Sequence, residues 1–444
     1  MEQVGTGEVD RLVSRTVRIS EPPFRAVLES ATRPRTVWSA PGDATVVGSG
    51  AAATITADGP DRFTRVREAA EALFETGDVH AGTEAARPRL FGGFAFHDQG
   101  AERDPWHDFP DARFVFPRVQ VTYADNGTWL TVNAVGPDAT VDAVEARLDA
   151  ERDRLADLSE NPMRPRPGIR SRTRTTAIED WRQGVEAAVA RIRAGDLRKV
   201  VLAQALDVDL AASLSIPDTL VRLGEKYPDC HRFLVEPAAG EAGFFGATPE
   251  RLVSVRGRTV ETGALAGTTG RGETPAEDEW LARELMDSEK NVHEHDLVAE
   301  TISEQLAPFA ASLATGERRV RRLATVQHLG TPITAELARE EHVLSLVEAL
   351  HPTPAVGGLP PERALATIRE TEPFDRGWYA APVGWIDAAG YGSFAVALRS
   401  AVATDRQVTL FAGVGIVADS DPDREWDEVQ LKYRPILDEL EADD

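Results

Sequence analysis

The strongest constraint on the fold of this chain is the order in which strand-like and helix-like segments follow one another. Alternating or continuously apolar runs predict strands at residues 36–47, 113–123, 199–210, 243–247, 252–255, 393–402 and 408–417. Few of these runs are separated by a helix of the length that a parallel crossover requires. The pattern therefore favours a mixed, α+β-like α/β fold, with mostly antiparallel strands covered by helices, over a doubly wound parallel sheet.

Helical periodicity predicts the elements that cover this sheet. Apolar stripes predict helices at residues 64–74, 141–158, 176–193, 278–306 and from 421 onward. In the fourth of these helices, a face apart from the apolar stripe carries Asp287, Lys290 and Glu294. The corresponding face of the last helix carries Glu425, Glu428 and Lys432. Two helices therefore present acidic side chains away from their apolar faces.

Residues 161–174 form the clearest break in composition. The segment NPMRPRPGIRSRTR is rich in proline and arginine and lacks apolar periodicity. We expect a linker or crossing loop there, between an N-terminal part at 1–170 and a second part at 171–444. Because 444 residues can bury a sizeable core, we expect both parts to belong to one structural domain.

The charge balance excludes several classes of partner. The chain has 49 basic and 73 acidic residues, a formal net charge of −24, which repels nucleic acid and anionic membranes alike. No apolar run approaches the ~20 residues of a membrane-spanning helix, and the N-terminal stretch lacks the apolar core of a signal peptide. We expect a cytoplasmic protein with no nucleic-acid or membrane partner and an acidic, halophile-like surface suited to high salt.

Lysine and cysteine are so rare in this chain that each one is informative. Only four basic residues are lysines, at Lys199, Lys226, Lys290 and Lys432. Unlike arginine, lysine can lose its proton, so a retained lysine can indicate a need for an amine. The single cysteine, Cys230, can form no internal disulfide, and we expect it to be a small buried hydrophobe.

Lys199 and Glu250 are candidates for acid–base chemistry. Lys199 opens an apolar strand, where burial could lower its pKa enough for the amine to act as a base. The alternative is a strand-end lysine that extends to water. Glu250 follows Phe244 and Phe245, whose apolar surroundings would raise its pKa and keep a proton available. The alternative is a turn or helix-cap carboxylate.

The acidic helix faces could bind a metal ion. Carboxylates from two helices, Glu294 on one and Glu425 with Glu428 on the other, suit Mg²⁺, which prefers oxygen ligands and keeps several waters. The HEH tripeptide at 293–295 offers a zinc alternative, but histidines at i and i+2 of a helix point about 200° apart. For Glu428 the alternative is a surface ion pair with Lys432.

Two glycine-rich segments lack the spacing of known nucleotide-binding loops. GALAGTTGRG at 263–272 and FAGVGIV at 411–417 match neither GxxxxGK[ST] nor GxGxxG. Both would allow the backbone to approach a small anion closely. Glycine at a sheet crossing or bulge would look the same.

Taken together, these segments resemble the chorismate-utilising enzymes, the family of isochorismate, salicylate, anthranilate and aminodeoxychorismate synthases. The resemblance covers about 181–435 and is carried by LRKVVLAQ, GATPERL, GALAGT, SEKNVHEHDLV, HPTPAVGG, EPFDRGWYAAPVGWID, FAVALRS, LFAGVGIV and SDPDREWDEVQLK. FGGFAF at 91–96 and ARFVFPRV at 112–119 match more weakly. The resemblance implies two large, mostly antiparallel sheets packed face to face with helices outside, as in anthranilate synthase component I-like enzymes, and a chorismate-binding catalytic region at 171–444.

The resemblance also implies a role for each matching residue. Lys199 would be the base that takes a proton from water attacking C2, and Glu250 the acid that protonates the departing C4 hydroxyl. Glu294 and Glu428 would bind Mg²⁺, which holds the ring carboxylate. The substrate-binding residues would be Tyr379 and Arg399 at the enolpyruvyl carboxylate, with Gly267, Thr268, Ala355, Gly413 and Lys432 around the pocket.

Within the family, the residues imply a branch. Anthranilate synthases usually have glutamine where Lys199 stands, so we expect water addition and no amidotransferase subunit. Ala355 stands where aminodeoxychorismate synthases tend to have threonine, which disfavours that branch. The resemblance thus implies a Mg²⁺-dependent isochorismate synthase, a monomer or weak dimer, that isomerises chorismate reversibly for menaquinone synthesis. The alternatives are a salicylate synthase, which goes on to eliminate pyruvate, and a catalytically silent chorismate-binding protein.

Overall fold

The structure, a computed structural model, describes residues 11–75, 77–98, 104–238 and 242–442. The first ten residues, on which part of the signal-peptide expectation rests, lie outside the described residues. The described strands are β1 (Leu12–Ile19), β2 (Arg35–Ser39), β3 (Thr45–Ala57), β4 (Gly77–His80), β5 (Arg89–Phe94), β6 (Ala112–Ala124), β7 (Gly127–Val135), β8 (Ile169–Arg174), β9 (Lys199–Leu210), β10 (His231–Glu236), β11 (Gly243–Thr248), β12 (Arg251–Arg256), β13 (Thr259–Gly270), β14 (Ala310–Thr315), β15 (Arg319–Arg322), β16 (Val326–Leu337), β17 (Gly358–Leu359), β18 (Pro382–Asp387), β19 (Gly392–Val396), β20 (Ser400–Ala403) and β21 (Gln407–Ile416).

The described α-helices cover the sheet. They are α1 (Phe24–Ser30), α2 (Arg62–Glu75), α3 (Val141–Ala156), α4 (Ile178–Arg193), α5 (Ile216–Lys226), α6 (Pro275–Asp287), α7 (Glu289–Leu306), α8 (Val343–Leu350), α9 (Pro361–Thr371) and α10 (Pro422–Leu437).

Strand β6 is the point at which the sheet divides into two arms. One edge of β6 pairs with β3, and its other edge pairs with β5 in its first half and β7 in its second. From β3 the first arm continues through β2, β10, β11, β20, β21 and β9. From β5 the second arm continues through β18, β19, β12, β13 and β16. Among the pairings that the structure describes, β1 with β4 is the parallel one, and the others are antiparallel.

These pairings confirm the mixed α/β class with mostly antiparallel strands and add one feature to it. The strands of the two expected sheets belong to one continuously hydrogen-bonded sheet, because the long strand β6 is shared by both arms. Strands from both sides of residue 170 are neighbours, since β2 pairs with β10 and β5 pairs with β18. Apolar side chains from both arms form one buried cluster.

Four predicted elements differ from the observed ones for local reasons. The predicted strand at 36–47 is two strands, since Gly42 adopts a φ of +73° in the turn between β2 and β3. The strand at 393–402 is broken before β20, where Arg399 has a φ of 49°. The helix at 278–306 is two helices, because Ser288 caps the start of α7 through a hydrogen bond from the Asn291 amide. The expected linker contains β8, an exposed edge strand whose side chains need no apolar alternation.

Most other predicted elements are confirmed with shifted ends. Cys230 is buried, as expected, and burial raises the pKa of its thiol to about 11. Among the described residues, no helix is both long enough and apolar enough to cross a membrane.

Candidate active site

A cavity with an empty volume of about 850 Å³ lies where the far ends of the two arms meet. The first arm contributes β9 and β21, the second contributes β13 and β16, and helices α7 and α10 close the remaining sides. The structure brings every residue to which the resemblance gives a role to this cavity, namely Lys199, Glu250, Gly267, Thr268, Glu294, Ala355, Tyr379, Arg399, Gly413, Glu428 and Lys432.

Lys199 is buried at the start of β9, with only 1% of its side chain exposed. A strand-end lysine that extends to water is therefore the wrong interpretation. Its Nζ lies 2.9 Å from Oε1 of Glu294 on α7. Gly415 on the neighbouring strand β21 makes room for this pair, because a Cβ at that position would overlap Glu294 Oε1 and lie 2.8 Å from Lys199 Cε.

Glu250 occupies the turn between β11 and β12, on the wall of the same cavity. Its amide donates a 3.3 Å hydrogen bond to the Thr248 hydroxyl, and its carbonyl accepts a 3.0 Å bond from the Val396 amide. Burial raises the pKa of its carboxyl to about 7, although Lys199 and Lys432 pull that pKa in the opposite direction. The apolar approach in the sequence predicted this raised pKa.

Three lysine–glutamate pairs line the cavity. Besides the pair between Lys199 and Glu294, Lys432 Nζ lies 2.7 Å from Glu428 Oε1, and Lys290 Nζ lies 2.8 Å from Glu425 Oε1. The Lys290 pair joins α7 to α10 and gives that lysine a partner that the sequence did not reveal.

The charges of these pairs oppose the effect of burial. Burial alone would raise the pKa of the Glu294 carboxyl, but Lys199, Lys432 and Lys290 outweigh it and hold that pKa below its ordinary value. For Glu425 burial prevails, and its pKa is raised despite Lys290. Glu294 is therefore the more strongly anionic of these two carboxylates.

Arg399 presents an unsatisfied cationic group to the cavity. It is 8% exposed, and within the described part of the chain its Nη1 has no hydrogen-bond partner. Its Nη2 lies 3.5 Å from Nε2 of His328, whose Nδ1 lies 3.0 Å from the Thr268 hydroxyl. Burial, with Arg399 nearby, lowers the pKa of His328 well below its ordinary value, so this imidazole is neutral. A buried guanidinium with a free donor is suited to receive a carboxylate.

The backbone near Arg399 is held in an unusual conformation. Ala380 and Arg399 are non-glycine residues with φ of 60° and 49°, and both line the cavity. Ala380 donates a 3.0 Å bond to the Ala397 carbonyl, and Ala397 donates a 2.9 Å bond to Ala381. Such conformations cost about 1–3 kcal/mol each and persist where surrounding contacts impose them.

The remaining predicted residues complete the wall. Tyr379 is buried and stacks on Phe411, with ring centroids 5.2 Å apart. Lys432 donates a 2.9 Å hydrogen bond to the Gly413 carbonyl. Gly267 adopts a φ of +75° at a bulge between β13 and β16. Ala355 lies in the segment before β17.

Sequence reasoning missed several residues of the cavity. His328 has no motif around it, and only the pairing of β16 with β13 brings it to the site. Arg376 binds Glu372 with a 2.8 Å hydrogen bond and donates to the Val201 carbonyl at 2.8 Å. The spacing of four between that glutamate and arginine was a signal for this pair.

The donors present fit Mg²⁺ better than zinc. Glu294 and Glu428 supply hard carboxylate oxygens to one cavity, and Mg²⁺ is commonly held by one or two carboxylates with water and substrate oxygens. Within the described ranges, no three His, Cys, Asp or Glu side chains are grouped as a metal site. His295, one of the histidines considered for zinc, instead lies 2.8 Å from the Thr331 hydroxyl.

Comparisons with known proteins point to one family. A family model described as chorismate binding enzyme matches residues 1–441. The salicylate biosynthesis isochorismate synthase of Pseudomonas aeruginosa is 38% identical over 396 residues, which cover 88% of this chain and 82% of that protein. The structure of MenF, the menaquinone-specific isochorismate synthase from Escherichia coli, superposes with a TM-score of 0.81 at 27% identity and covers 98% of this chain and 97% of that one.

A third comparison concerns the fold alone. Anthranilate synthase component I from Streptococcus pneumoniae superposes with a TM-score of 0.75 at 22% identity, and the match covers 89% of this chain and 92% of that one. The expected likeness to the anthranilate synthase component I fold is confirmed.

Proposed function

Because the chain belongs to the family of chorismate-binding enzymes, as its motifs indicated, we propose that it is an isochorismate synthase that converts chorismate reversibly to isochorismate with Mg²⁺. The observation that carries this proposal is that Lys199 and Glu250 are buried in the walls of one cavity. A base and an acid that share a substrate cavity suit the addition of water at one ring carbon and the loss of a hydroxyl at another.

In the proposed reaction, Lys199 takes a proton from the water whose oxygen bonds to C2. The two conjugated ring double bonds both shift, the C4–O bond breaks, and Glu250 protonates the departing oxygen. The raised pKa of Glu250 supports its part, because an acid must still hold its proton near neutral pH. Each of these proton transfers is worth about 10²–10⁴ in rate.

Arg399 and Tyr379 would hold the enolpyruvyl carboxylate, which would take up the free donor on the Arg399 guanidinium. Glu294 and Glu428 would hold Mg²⁺, which supplies the countercharge for the ring carboxylate when it is bound. Chorismate is a dianion and the protein carries −24, so these local cationic groups must outweigh the overall field.

The pair between Lys199 and Glu294 links metal binding to the base. Lys199 Nζ lies 2.9 Å from Glu294 Oε1, so the candidate base contacts one of the two carboxylates that would hold Mg²⁺. Glu294 would thus hold both the metal ion and the Lys199 side chain. We propose that Glu294 thereby orients Lys199 in the cavity.

The test is product analysis of the purified protein with chorismate and Mg²⁺. We expect a product of the same mass as chorismate, whereas salicylate with pyruvate would identify a salicylate synthase and no turnover a silent binding protein. Lys199→Gln and Glu250→Gln should each lose about 10²–10⁴ in rate. A chelator should abolish turnover until Mg²⁺ is restored.

Lys226→Gln is the matched control for the lysine variant. Lys226 pairs with Asp438 at 2.8 Å and is not among the residues that line the cavity. Its variant should keep full activity. Wild-type rates in Lys199→Gln would remove Lys199 as the base.

We propose further that the product serves menaquinone synthesis in the cytoplasm. Support comes from the structural likeness to the menaquinone-specific enzyme of Escherichia coli. The Pseudomonas relative is named for salicylate biosynthesis, which is the competing destination. Deletion of the gene in its host should deplete menaquinone. Loss of a salicylate-derived compound with normal menaquinone would contradict this part of the proposal.

A further inference from the structure

A second cavity lies beside the first and shares a wall with it. This side cavity is a cleft open to solvent, with about 1210 Å³ of empty space including the solvent at its mouth, and Pro249, Glu250 and Leu265 line both cavities. It lies along β13, β15 and β16 and reaches the surface beside the exposed residues Arg319 and Arg322. Glu250 therefore borders both the substrate cavity and the side cavity.

The partition between the two spaces is held by hydrogen bonds and strand pairing. Arg321 donates 2.7 Å hydrogen bonds to the carbonyls of Pro249 and Asp229 and so holds the turn that carries Glu250. Leu265 pairs across the strands with Gly330, and Arg319 pairs with Gly330 from the other side. Because Gly330 has no side chain, it leaves open space at this crossing.

The proposed reaction requires a water and a proton to move on the Glu250 side of the ring. Each forward turnover places a proton on Lys199, removes one from Glu250 and releases one water at C4. With the substrate held between the two residues, that water and the replacement proton need a path that does not cross the ring. The side cavity reaches Glu250 without passing through the substrate cavity.

We propose that the side cavity is a solvent port through which the water released at C4 leaves and Glu250 regains its proton. The inference rests on the proposed isochorismate synthase reaction. It assigns Arg321 as a positioning residue, since that side chain fixes the turn of Glu250 while the port stays open beside it. In each turnover one water adds at C2 and one leaves from C4.

Gly330→Leu is the variant that closes the port. A Cβ at Gly330 meets Leu265 Cδ1 at 3.7 Å, Arg321 Cβ at 3.8 Å and the Arg319 carbonyl at 3.9 Å, which are ordinary contacts. The larger side chain would then fill part of the side cavity, which Gly330 and Glu250 both line. We expect kcat to fall about tenfold with KM for chorismate unchanged, because proton return rather than binding is obstructed.

A labelled substrate gives a readout that a merely structural change would not move. Chorismate carrying oxygen-18 at its C4 hydroxyl should lose the label to bulk water when the wild-type enzyme cleaves and re-forms that bond. In Gly330→Leu the released water is retained and adds back, so recovered chorismate should keep more label at equal conversion. Thermal unfolding should confirm that the variant folds, and Gly330→Ala and Gly330→Val give a graded series if it does not.

Gly270→Leu is the matched control. Gly270 lies on β13, a Cβ there meets nothing within 4 Å, and it lines neither cavity. It should behave as wild type in both assays. The port proposal would be overturned if the Gly330 variants lost the label at the wild-type rate, whether their kcat was unchanged or lower. Failure of the wild-type enzyme to make isochorismate would instead overturn the proposed function.

Discussion

At the scale of single residues, Glu250 shows how a fold sets the chemistry of an ordinary side chain. The same carboxyl would titrate near 4.5 in an unfolded chain, but burial raises its pKa to about 7. Lys199 is equally buried, yet it lies against a carboxylate. The two candidate reacting groups therefore occupy opposite electrostatic settings within one cavity.

The raised pKa predicts how activity depends on pH. Glu250 must be protonated to act as the acid, so kcat/KM should fall as the pH rises through about 7. A pH profile of the wild-type enzyme over the neutral range measures this. A profile that stays flat on both sides of neutrality would contradict the assignment of the acid.

The raised pKa of Glu250 also predicts how the stability of the fold depends on pH. Between about pH 4.5 and about pH 7 the folded chain binds a proton at Glu250 that the unfolded chain does not. This proton therefore stabilises the folded chain at low pH, and the stabilisation is lost as the pH rises through about 7. Glu250→Gln removes the dependence. The melting temperature of this variant relative to wild type should therefore rise between pH 5 and pH 8, and a constant difference would contradict a raised pKa.

Gly415→Ala tests how closely Lys199 and Glu294 are held. The added Cβ would overlap Glu294 Oε1 and lie 2.8 Å from Lys199 Cε, so both groups must move. Displacement of about 1 Å in a catalytic group can cost about 10²-fold in rate. Steady-state kinetics should show that loss, and Gly270→Ala, at a position with open space, should show none. Equal activity in both variants would mean that the pair tolerates displacement.

At the scale of elements, the site depends on where helices begin. Ser288 ends α6 and caps α7. The side chain of Asn291 donates a 3.0 Å hydrogen bond to the Ser288 hydroxyl. Asn291 lines the cavity together with Lys290 and Glu294. The start of α7 therefore fixes three cavity residues at once.

Ser288→Ala should lower both stability and function. Loss of an N-cap costs about 1 kcal/mol, and the first turns of α7 would fray beside Glu294. We expect a lower melting temperature, a higher Mg²⁺ concentration for half-maximal activity and a higher KM. Thr140→Ala is the matched control, because Thr140 caps α3 in the same way, and no α3 residue lines the cavity. It should lose stability alone, and the same KM change in both variants would refute the link to the site.

How far the sequence predicted these elements follows from what each signal contains. Periodicity located α4 and α10 because their apolar stripes are continuous. It joined α6 to α7, because their stripes remain in phase across Ser288 and only the cap separates them. The family motifs brought Lys199, Glu250 and Glu294 together. Residues such as His328 depend on strand pairing across the sheet, which no local pattern encodes.

At the scale of the whole molecule, a net charge of −24 opposes both compactness and the binding of an anionic substrate. The cavity counters this locally with Arg399, since the lysines at 199, 290 and 432 are each paired with a glutamate of the cavity. Most of the acidic surplus lies elsewhere, where added salt can screen it.

Salt should therefore stabilise this protein. The screening length falls from about 10 Å at 0.1 M salt to about 3 Å at 1 M, which weakens repulsion between surface carboxylates. We expect the melting temperature to rise by several degrees over this range of KCl, measured by calorimetry or fluorescence. A constant or falling melting temperature would show that the acidic surface carries no such cost.

The branching of the sheet at β6 has a consequence for synthesis on the ribosome. With the sheet arranged in this way, residue 199 on β9 and residue 432 on α10 lie at one cavity, although 233 positions of chain separate them. A ribosome that adds ~5–20 residues per second needs roughly 10–50 s to pass from one to the other. During that interval the nascent polypeptide contains Lys199 but lacks α10, the helix that closes this side of the cavity. Chaperone protection during translation is therefore more valuable here than for an enzyme whose site is local in sequence.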